Sequence, residues 1–258
     1  MRSRPLSRPE LGGWDASEKR ETREVRRRRR PPGDTGRSTT ARSTTALESE
    51  RVDPGMRTGV IIAGGYSTRF GEGDKAVASL AGTPLIRRVA DRMAGVIDTL
   101  VVNCRPEQTA ALRTALDGYD HPVTVAEDAE CDEGPMAGIM TGLRAVETEY
   151  AFVAACDMPF LEPVLIDRLF DRAAGRDAAV PRVGDGWFQP THAVYRASAM
   201  ADACELALAE GNHKIIEPLF ALDYVVLGED EVCEHASLDT FENINTPEEF
   251  AHAAERLG

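Results

Sequence analysis

The chain has 258 residues, of which 42% are hydrophobic, and a formal net charge of −13. This length and composition are sufficient for one domain with a substantial core. No run approaches the roughly 18 to 20 apolar residues that span a bilayer, and the first residues lack the apolar region of a secretory signal. We therefore expect a cytoplasmic protein with no membrane partner. The five cysteines include no C-x-x-C pair, which favours reduced thiols over a disulfide framework or a zinc site.

The charge is divided unevenly along the chain. Residues 1–55 hold 14 Lys and Arg against 9 Asp and Glu, net +5, which leaves 16 against 34, net −18, for residues 56–258. An acidic surface repels nucleic acid and anionic membranes and supports solubility at high salt. The acidic part contains only two lysines, Lys75 and Lys214. This composition favours a halophilic source and indicates that nucleic acid is not a partner.

Residues 1–55 predict a disordered basic extension. They combine an arginine run at 26–30, a Pro-Pro-Gly sequence and two Arg-Ser-Thr-Thr repeats, with few apolar residues. Such a segment cannot bury enough apolar surface to offset its chain entropy. One interpretation is a basic arm that binds nucleic acid. We favour a mis-assigned start or a dispensable extension, because Met56 immediately precedes the first predicted strand and residues 56–258 then form the globular domain.

From Met56 onward, short apolar runs alternate with stretches of helical periodicity, the pattern of parallel strands joined by crossover helices. The predicted strands are residues 58–63, 99–103, 123–126, 150–155, 178–181 and 192–195. The predicted helices are residues 84–94, 107–116, 136–146, 163–173, 197–209, 214–221 and 247–256. This order predicts an α/β fold, a three-layer sandwich around a mostly parallel sheet.

The first predicted strand runs into a glycine-rich turn at the carboxyl edge, where open α/β sheets bind ligands. Gly64 and Gly65 let backbone N–H groups approach phosphate oxygens without an intervening side chain. Arg69 and Lys75 add positive charge that can neutralise a triphosphate and stabilise departing pyrophosphate. The segment has neither Gly-Lys-Ser/Thr nor G-x-G-x-x-G spacing. An ordinary turn is the alternative for the glycines alone, but a lysine in a lysine-poor domain favours an anion cradle.

Polar residues follow three other predicted strands. Asp157 ends a buried strand, and one well-placed aspartate suffices for Mg²⁺ when substrate phosphates complete the coordination. The alternative is that Asp157 caps the following turn. Asn103 and Asp128 end two further strands. A carboxylate can accept hydrogen bonds from guanine N1–H and the exocyclic amine, an arrangement that cytosine and uracil cannot reproduce.

The run Ala-Gly-Gly-x-Ser-x-Arg-Phe-Gly at 63–71, followed by Asp-Lys at 74–75, resembles the motif of the molybdopterin-type nucleotidyltransferases. Within that superfamily the sequence is most similar to the molybdenum cofactor guanylyltransferases, from about Thr58 to the C-terminal helix, and its composition suggests a halophilic archaeon. The resemblance implies a Rossmann-like nucleotidyltransferase fold and Mg²⁺ at Asp157. It also implies nucleotide contacts at the following residues: Ile62, Ala63, Gly64, Gly65, Lys75, Asn103, Asp128 and Asp157.

The implied reaction moves GMP from Mg-GTP to the terminal phosphate of molybdopterin or the molybdenum cofactor and releases pyrophosphate. Lys75, Arg69 and Asp157 are the implied catalytic residues. Asn243, Asn245 and the Gln-Pro-Thr-His run at 189–192 are expected to border the acceptor, although residues 245–246 also suit a helix start. The remaining expected partners are enzymes that insert molybdenum or receive the product, in transient contact.

Three alternatives remain open from the residues. A sister enzyme that uses CTP, or one that charges another phosphorylated acceptor, would share the glycine turn and the aspartate. A non-catalytic nucleotide-binding or nucleic-acid-binding protein is the alternative from another class.

Overall fold

The computed structural model describes residues 55–65, 74–129, 134–184 and 186–258. The basic extension lies outside the described residues apart from Gly55, so its disorder stays a prediction. Arg69 also lies outside them.

Within these ranges the secondary structure alternates between strands and helices. The strands are β1 (Thr58–Ile62), β2 (Ser79–Leu80), β3 (Thr83–Pro84), β4 (Thr99–Cys104), β5 (Val123–Glu127), β6 (Tyr150–Ala155), β7 (Ala178–Val183), β8 (Trp187–Phe188), β9 (His192–Arg196) and β10 (Tyr224–Gly228). The helices are α1 (Leu85–Met93), α2 (Thr109–Ala115), α3 (Pro135–Arg144), α4 (Pro163–Ala173), α5 (Ala197–Ala209), α6 (Glu217–Phe220), α7 (Glu229–Cys233) and α8 (Pro247–Leu257).

The main sheet has the strand order β10-β7-β9-β6-β1-β4-β5. Strands β6, β1, β4 and β5 run parallel, as do β10 and β7, while β9 is antiparallel to both of its neighbours. The short strand β8 pairs with the end of β7 and carries Trp187, which is 74% exposed. The predicted mostly parallel sheet is therefore confirmed.

Two apolar cores cover the two faces of the sheet, because successive side chains of a strand point to opposite faces. Ile61 of β1 packs in the core formed with α1, α2 and α4, whereas Val60 packs in the core formed with α3 and α5. A smaller cluster joins α8 to the β2–β3 hairpin through Leu80 and Ala253. Helices on both faces of one sheet give the predicted three-layer sandwich.

Several element predictions were incomplete or too long. The six predicted strands are present, but the edge strand β10 was missed, because its partly exposed run gives a weak burial pattern. The predicted helix 107–116 divides into a 3-10 turn, Pro106–Gln108, and α2. The predicted helix 214–221 shortens to α6, since the ring of Pro218 would clash with the carbonyl of Lys214 in a continuous helix.

No helix in the described part of the chain combines the length and apolar character that a bilayer crossing requires.

His192 of β9 is a fully buried ionisable residue between two aromatic rings. Its ring centroid lies 5.2 Å from that of Phe152 and 4.6 Å from that of Phe241. Burial lowers the pKa of His192 from 6.5 to about 3, and a backbone interaction at Thr240 offsets part of this shift. The folded protein therefore keeps His192 neutral, which agrees with a structural role.

We expect His192 to make the free energy of unfolding depend on pH. The unfolded chain binds a proton near pH 6.5 and the folded chain only near pH 3, so stability is complete above pH 6.5 and falls as the pH drops through this window, by at most ~1.4 kcal/mol per pH unit. Denaturant unfolding of wild type and His192→Leu at pH 7.5, 6.0 and 5.0, at constant salt, measures this difference. The variant should lose less stability on acidification; identical pH profiles would contradict the assignment.

Candidate active site

The carboxyl ends of four adjacent parallel strands meet at one edge of the sheet. The register pairs Ile62 of β1 with Asn103 of β4 on one side and with Ala155 of β6 on the other. The backbone N–H of Ala63 continues this ladder by donating to Asn103 O at 2.9 Å. Asn103 near the end of β4, and the glycine turn, Asp128 and Asp157 after β1, β5 and β6, consequently lie at the ends of adjacent strands, as the sequence predicted.

Lys75 and Asp157 form a largely buried ion pair. Lys75 Nζ donates to Asp157 Oδ2 at 2.8 Å and to Asn245 Oδ1 at 3.4 Å. The two charged side chains are 8% and 19% exposed. Lys75 begins the 3-10 turn Lys75–Val77, whose N-cap Asp74 accepts a hydrogen bond from Ala76 N. The cap therefore fixes the backbone from which the lysine side chain extends.

The second carboxylate oxygen of Asp157 is available to a ligand. Asp157 Oδ1 is buried and has no hydrogen-bond partner among the described residues. A buried, unpaired carboxylate oxygen is unfavourable unless a donor or a cation satisfies it. No group of three or more His, Cys, Asp and Glu side chains in the described part of the chain could hold a metal. The donor set thus fits a hard cation that takes one protein carboxylate and completes its coordination with phosphate oxygens and water.

The buried Asn103 and the half-buried Asp128 form a second polar pair. Asn103 is completely buried, and its Nδ2 donates to Asp128 Oδ1 at 2.7 Å and to Ala126 O at 3.2 Å. Asn103 Oδ1 has no partner among the described residues. Burial raises the pKa of the Asp128 carboxyl, and hydrogen bonds from Asn103 and Thr141 oppose the shift. The pair therefore contains one buried acceptor, Asn103 Oδ1, that a donor from outside the described side chains would satisfy.

Two glycines permit this close packing. A Cβ atom on Gly138 of α3 would lie 2.6 Å from Asn103 Oδ1, and one on Gly64 would lie 2.6 Å from Asp128 Oδ2. Real Cβ atoms do not approach oxygen this closely, so any larger residue would displace the polar pair. The small residue at position 138 of α3 is thereby explained by its contact with Asn103.

Sequence reasoning missed Arg105 and Gln108, which lie in the turn between β4 and α2. Arg105 Nη1 donates to Gly64 O at 2.8 Å and to Gly65 O at 3.0 Å, and Gln108 Nε2 donates to Ala63 O at 3.1 Å. In the sequence these residues resemble an ordinary helix start. The available signal was their position, two and five residues after Asn103.

Three groups with different chemistry therefore share one sheet edge. They are a glycine turn, a lysine–aspartate pair and a polar pair, and Asp157 Oδ1 and Asn103 Oδ1 have no partner among the described residues. The turn and Lys75 suit phosphate, and the polar pair suits a base. The fold and this edge together define a nucleotidyltransferase.

The comparisons with known proteins agree. Residues 59–224 match the family described as the MobA-like NTP transferase domain. The chain is 54% identical over 203 residues to a protein of the halophilic archaeon Natronomonas pharaonis named "Probable molybdenum cofactor guanylyltransferase", covering 79% of this chain and 99% of the relative. A protein of the same name from Haloferax mediterranei is 37% identical over 208 residues, covering 81% and 97%.

A solved structure is also similar. Molybdopterin-guanine dinucleotide biosynthesis protein A from Archaeoglobus fulgidus superimposes with a TM-score of 0.64 at 30% identity, covering 78% of this chain and 98% of that one. The chain belongs to the MobA-like NTP transferase domain family.

We expect Gly138→Ala to weaken nucleotide binding by roughly tenfold, because the new methyl group must displace Asn103 and overpacking typically costs ~1–3 kcal/mol. Alanine favours helix formation over glycine, so general instability of α3 is not the expected cause. Isothermal titration with GTP measures the change. Gly95→Ala is the matched control, since its Cβ would meet nothing within 4 Å; equal affinities in both variants would contradict the role of Asn103.

Proposed function

We propose that the protein transfers GMP from Mg²⁺-bound GTP to the terminal phosphate of molybdopterin or the molybdenum cofactor and releases pyrophosphate. The observation that carries the proposal is the Lys75–Asp157 pair, with its unpaired carboxylate oxygen, beside the glycine turn. The names of the relatives support the guanylyl donor and the molybdenum cofactor acceptor.

The guanine base fits the Asn103–Asp128 pair. Asn103 Oδ1 and the carboxylate of Asp128 are acceptors, and guanine offers adjacent donors at N1–H and the exocyclic amine. The Asn103 amide nitrogen donates to Ala126 O and Asp128, and these contacts fix the side-chain orientation in which its oxygen would accept from the base. Cytosine and uracil lack this pair of adjacent donors, so the same oxygens would discriminate against them.

The triphosphate fits the glycine turn and Lys75. Backbone N–H groups at Gly64 and Gly65 and the Lys75 ammonium are donors suited to phosphate oxygens, and the ammonium would offset charge that develops on pyrophosphate. Ile62 is the last residue of β1, and Ala63 connects β1 to this turn. Arg69 is the further cation that the sequence predicts here. Asp157 would hold Mg²⁺, which supplies charge neutralisation on the phosphates.

The acceptor phosphate attacks the α-phosphorus of GTP. One oxygen–phosphorus bond forms, and the bond between the α-phosphorus and the bridging oxygen to the β-phosphate breaks, so that pyrophosphate leaves with the bond electrons. The attacking phosphate oxygen is already anionic at neutral pH, and no general base is needed. Positioning and charge stabilisation are then the main contributions of the protein.

The acceptor half of the edge would lie beyond β6, where His192 of β9 pairs with Ala154. Asn245 contacts Lys75, and the backbone N–H of Ile244 donates to Asp157 O at 3.0 Å. The segment before α8 therefore lies against the reacting end of the site. Its amides, including the exposed Asn243, would meet the acceptor. We expect the reaction to take place in the cytoplasm, with transient transfer of cofactor from and to other molybdenum enzymes.

Asp157→Asn tests the proposal directly. Replacing the carboxylate with a nearly isosteric amide removes the charge that would hold Mg²⁺, so kcat for pyrophosphate release should fall by roughly 100-fold or more. The assay uses purified full-length protein, Mg²⁺ and molybdopterin, with GTP, CTP, ATP and UTP compared in parallel. Wild type should turn over with GTP and lose activity when Mg²⁺ is chelated.

Asp91→Asn is the matched control, because Asp91 is in an exposed pair with Arg87 on α1; its activity should equal that of wild type. Preference for CTP would contradict the guanine assignment and favour the sister enzyme. Absence of turnover with every nucleotide would contradict the assignment of molybdopterin as the acceptor. Full activity of Asp157→Asn would contradict the assignment of Asp157 as the metal ligand.

A further inference from the structure

The turn between β4 and α2 contacts the glycine turn through Arg105. Arg105 Nε donates to Glu107 Oε1 at 2.7 Å, and Nη1 donates to the carbonyl oxygens of Gly64 and Gly65. The Arg105 side chain is 12% exposed. Glu107 therefore orients a largely buried guanidinium group whose Nη1 donates to two backbone carbonyls.

Gln108 links both sides of the segment between Gly65 and Asp74. It is 3% exposed, and its Oε1 accepts from Arg105 N at 2.9 Å. Its Nε2 donates to Ala63 O at 3.1 Å and to Asp74 Oδ2 at 2.9 Å. Since Asp74 is the N-cap of the turn that begins with Lys75, Gln108 connects the end of β1 with the residue that fixes the lysine backbone.

These contacts have a directional effect on the glycine turn. In a trans peptide the C=O and N–H groups point to opposite sides. Because Gly64 O points at Arg105, the N–H of Gly65 is directed to the side away from the guanidinium. A glycine-rich turn has much conformational freedom, so side-chain contacts to its carbonyls select one peptide orientation.

We propose that Arg105 and Gln108 are positioning residues for the triphosphate: they set the orientation of the Gly64–Gly65 peptide and the position of Lys75. The inference rests on the proposed function for the identity of the nucleotide. Both residues act through other groups. The charge of Arg105 also opposes the rise in the pKa of the Asp128 carboxyl. Removing either residue should consequently weaken phosphate recognition more than base recognition.

The test compares equilibrium binding of guanosine, GMP and GTP with Mg²⁺ to the full-length protein. Arg105→Ala should raise the Kd for GTP by roughly 10- to 100-fold, the range expected for loss of charge-assisted hydrogen bonds. The Kd for guanosine should rise by a clearly smaller factor, because the hydrogen bonds lost are those to the glycine turn. Arg105→Lys retains the charge and one donor direction, so it should recover part of the GTP affinity. Arg113→Ala, at an exposed arginine of α2, is the control.

A second pair of variants tests Gln108 without a change in side-chain size. Gln108→Glu replaces the Nε2 donor with an anionic oxygen that faces Asp74 and Ala63 O, so GTP affinity should fall. Adding Asp74→Asn places an amide donor opposite the new carboxylate, and the amide oxygen can still cap Ala76 N. The double variant should therefore bind GTP more tightly than Gln108→Glu alone.

Selective loss of GTP affinity, with recovery in Arg105→Lys and in the double variant, would support the proposal. Equal loss of guanosine and GTP affinity would overturn it in favour of a purely structural turn, and unchanged GTP affinity in Arg105→Ala would also overturn it. No acceptor is present, so an incorrect acceptor assignment leaves the result unaffected. Failure of the guanine assignment would be recognised separately, by wild type binding cytidine as tightly as guanosine.

Discussion

The parallel register of β1 with β4 and β6 brings the glycine turn, Asn103 and Asp157 to one edge of the sheet. Ile62 is paired with Asn103 and Ala155 at the same level, so the residues that follow these strands emerge together. A shift by one residue would turn Asn103 to the face of α1 and α2, because strand side chains alternate. The alternation of Val60 and Ile61 between two apolar cores opposes that shift. Burial of the core thus fixes the geometry of the polar groups above it.

The site keeps polar atoms in conditions that a stable core would avoid. Asn103 Oδ1 and Asp157 Oδ1 are both buried without a partner among the described residues. An unsatisfied buried acceptor costs roughly 1–3 kcal/mol, and a ligand that donates to it or coordinates it recovers that free energy. Without a ligand, neighbouring contacts hold both side chains in place. Lys75 binds the other oxygen of Asp157, and Asp128 and Ala126 accept hydrogen bonds from the amide of Asn103.

The sequence was sufficient for six of the strands and for the polar residues at their ends, because burial and turn chemistry both leave local patterns. Apolar runs that lead to Gly64 or Asp157 can be recognised in the sequence, and the family resemblance supplied the expected ligands of these residues. The Arg105 and Gln108 contacts were not predictable, since they join residues about 40 positions apart and depend on how one turn packs against another. The edge strand β10 was missed because its partial exposure weakens the periodic pattern. The length of α6 was overestimated because a proline interrupts the predicted helix.

The antiparallel strand β9 divides the sheet into parts that can diverge separately. To reach β9 from β7, the chain must reverse at the carboxyl edge, and β8 with its exposed Trp187 lies in that connection. Only two residue pairs join β8 to β7, whereas the strands from β6 to β5 are fixed by continuous ladders and two cores. Under the proposed function, insertions or substitutions in the β7–β9 connection would change the acceptor side and leave the ladders that carry Asn103 and Asp157 in place. The architecture would then allow the specificity for the second substrate to change separately from the nucleotide chemistry.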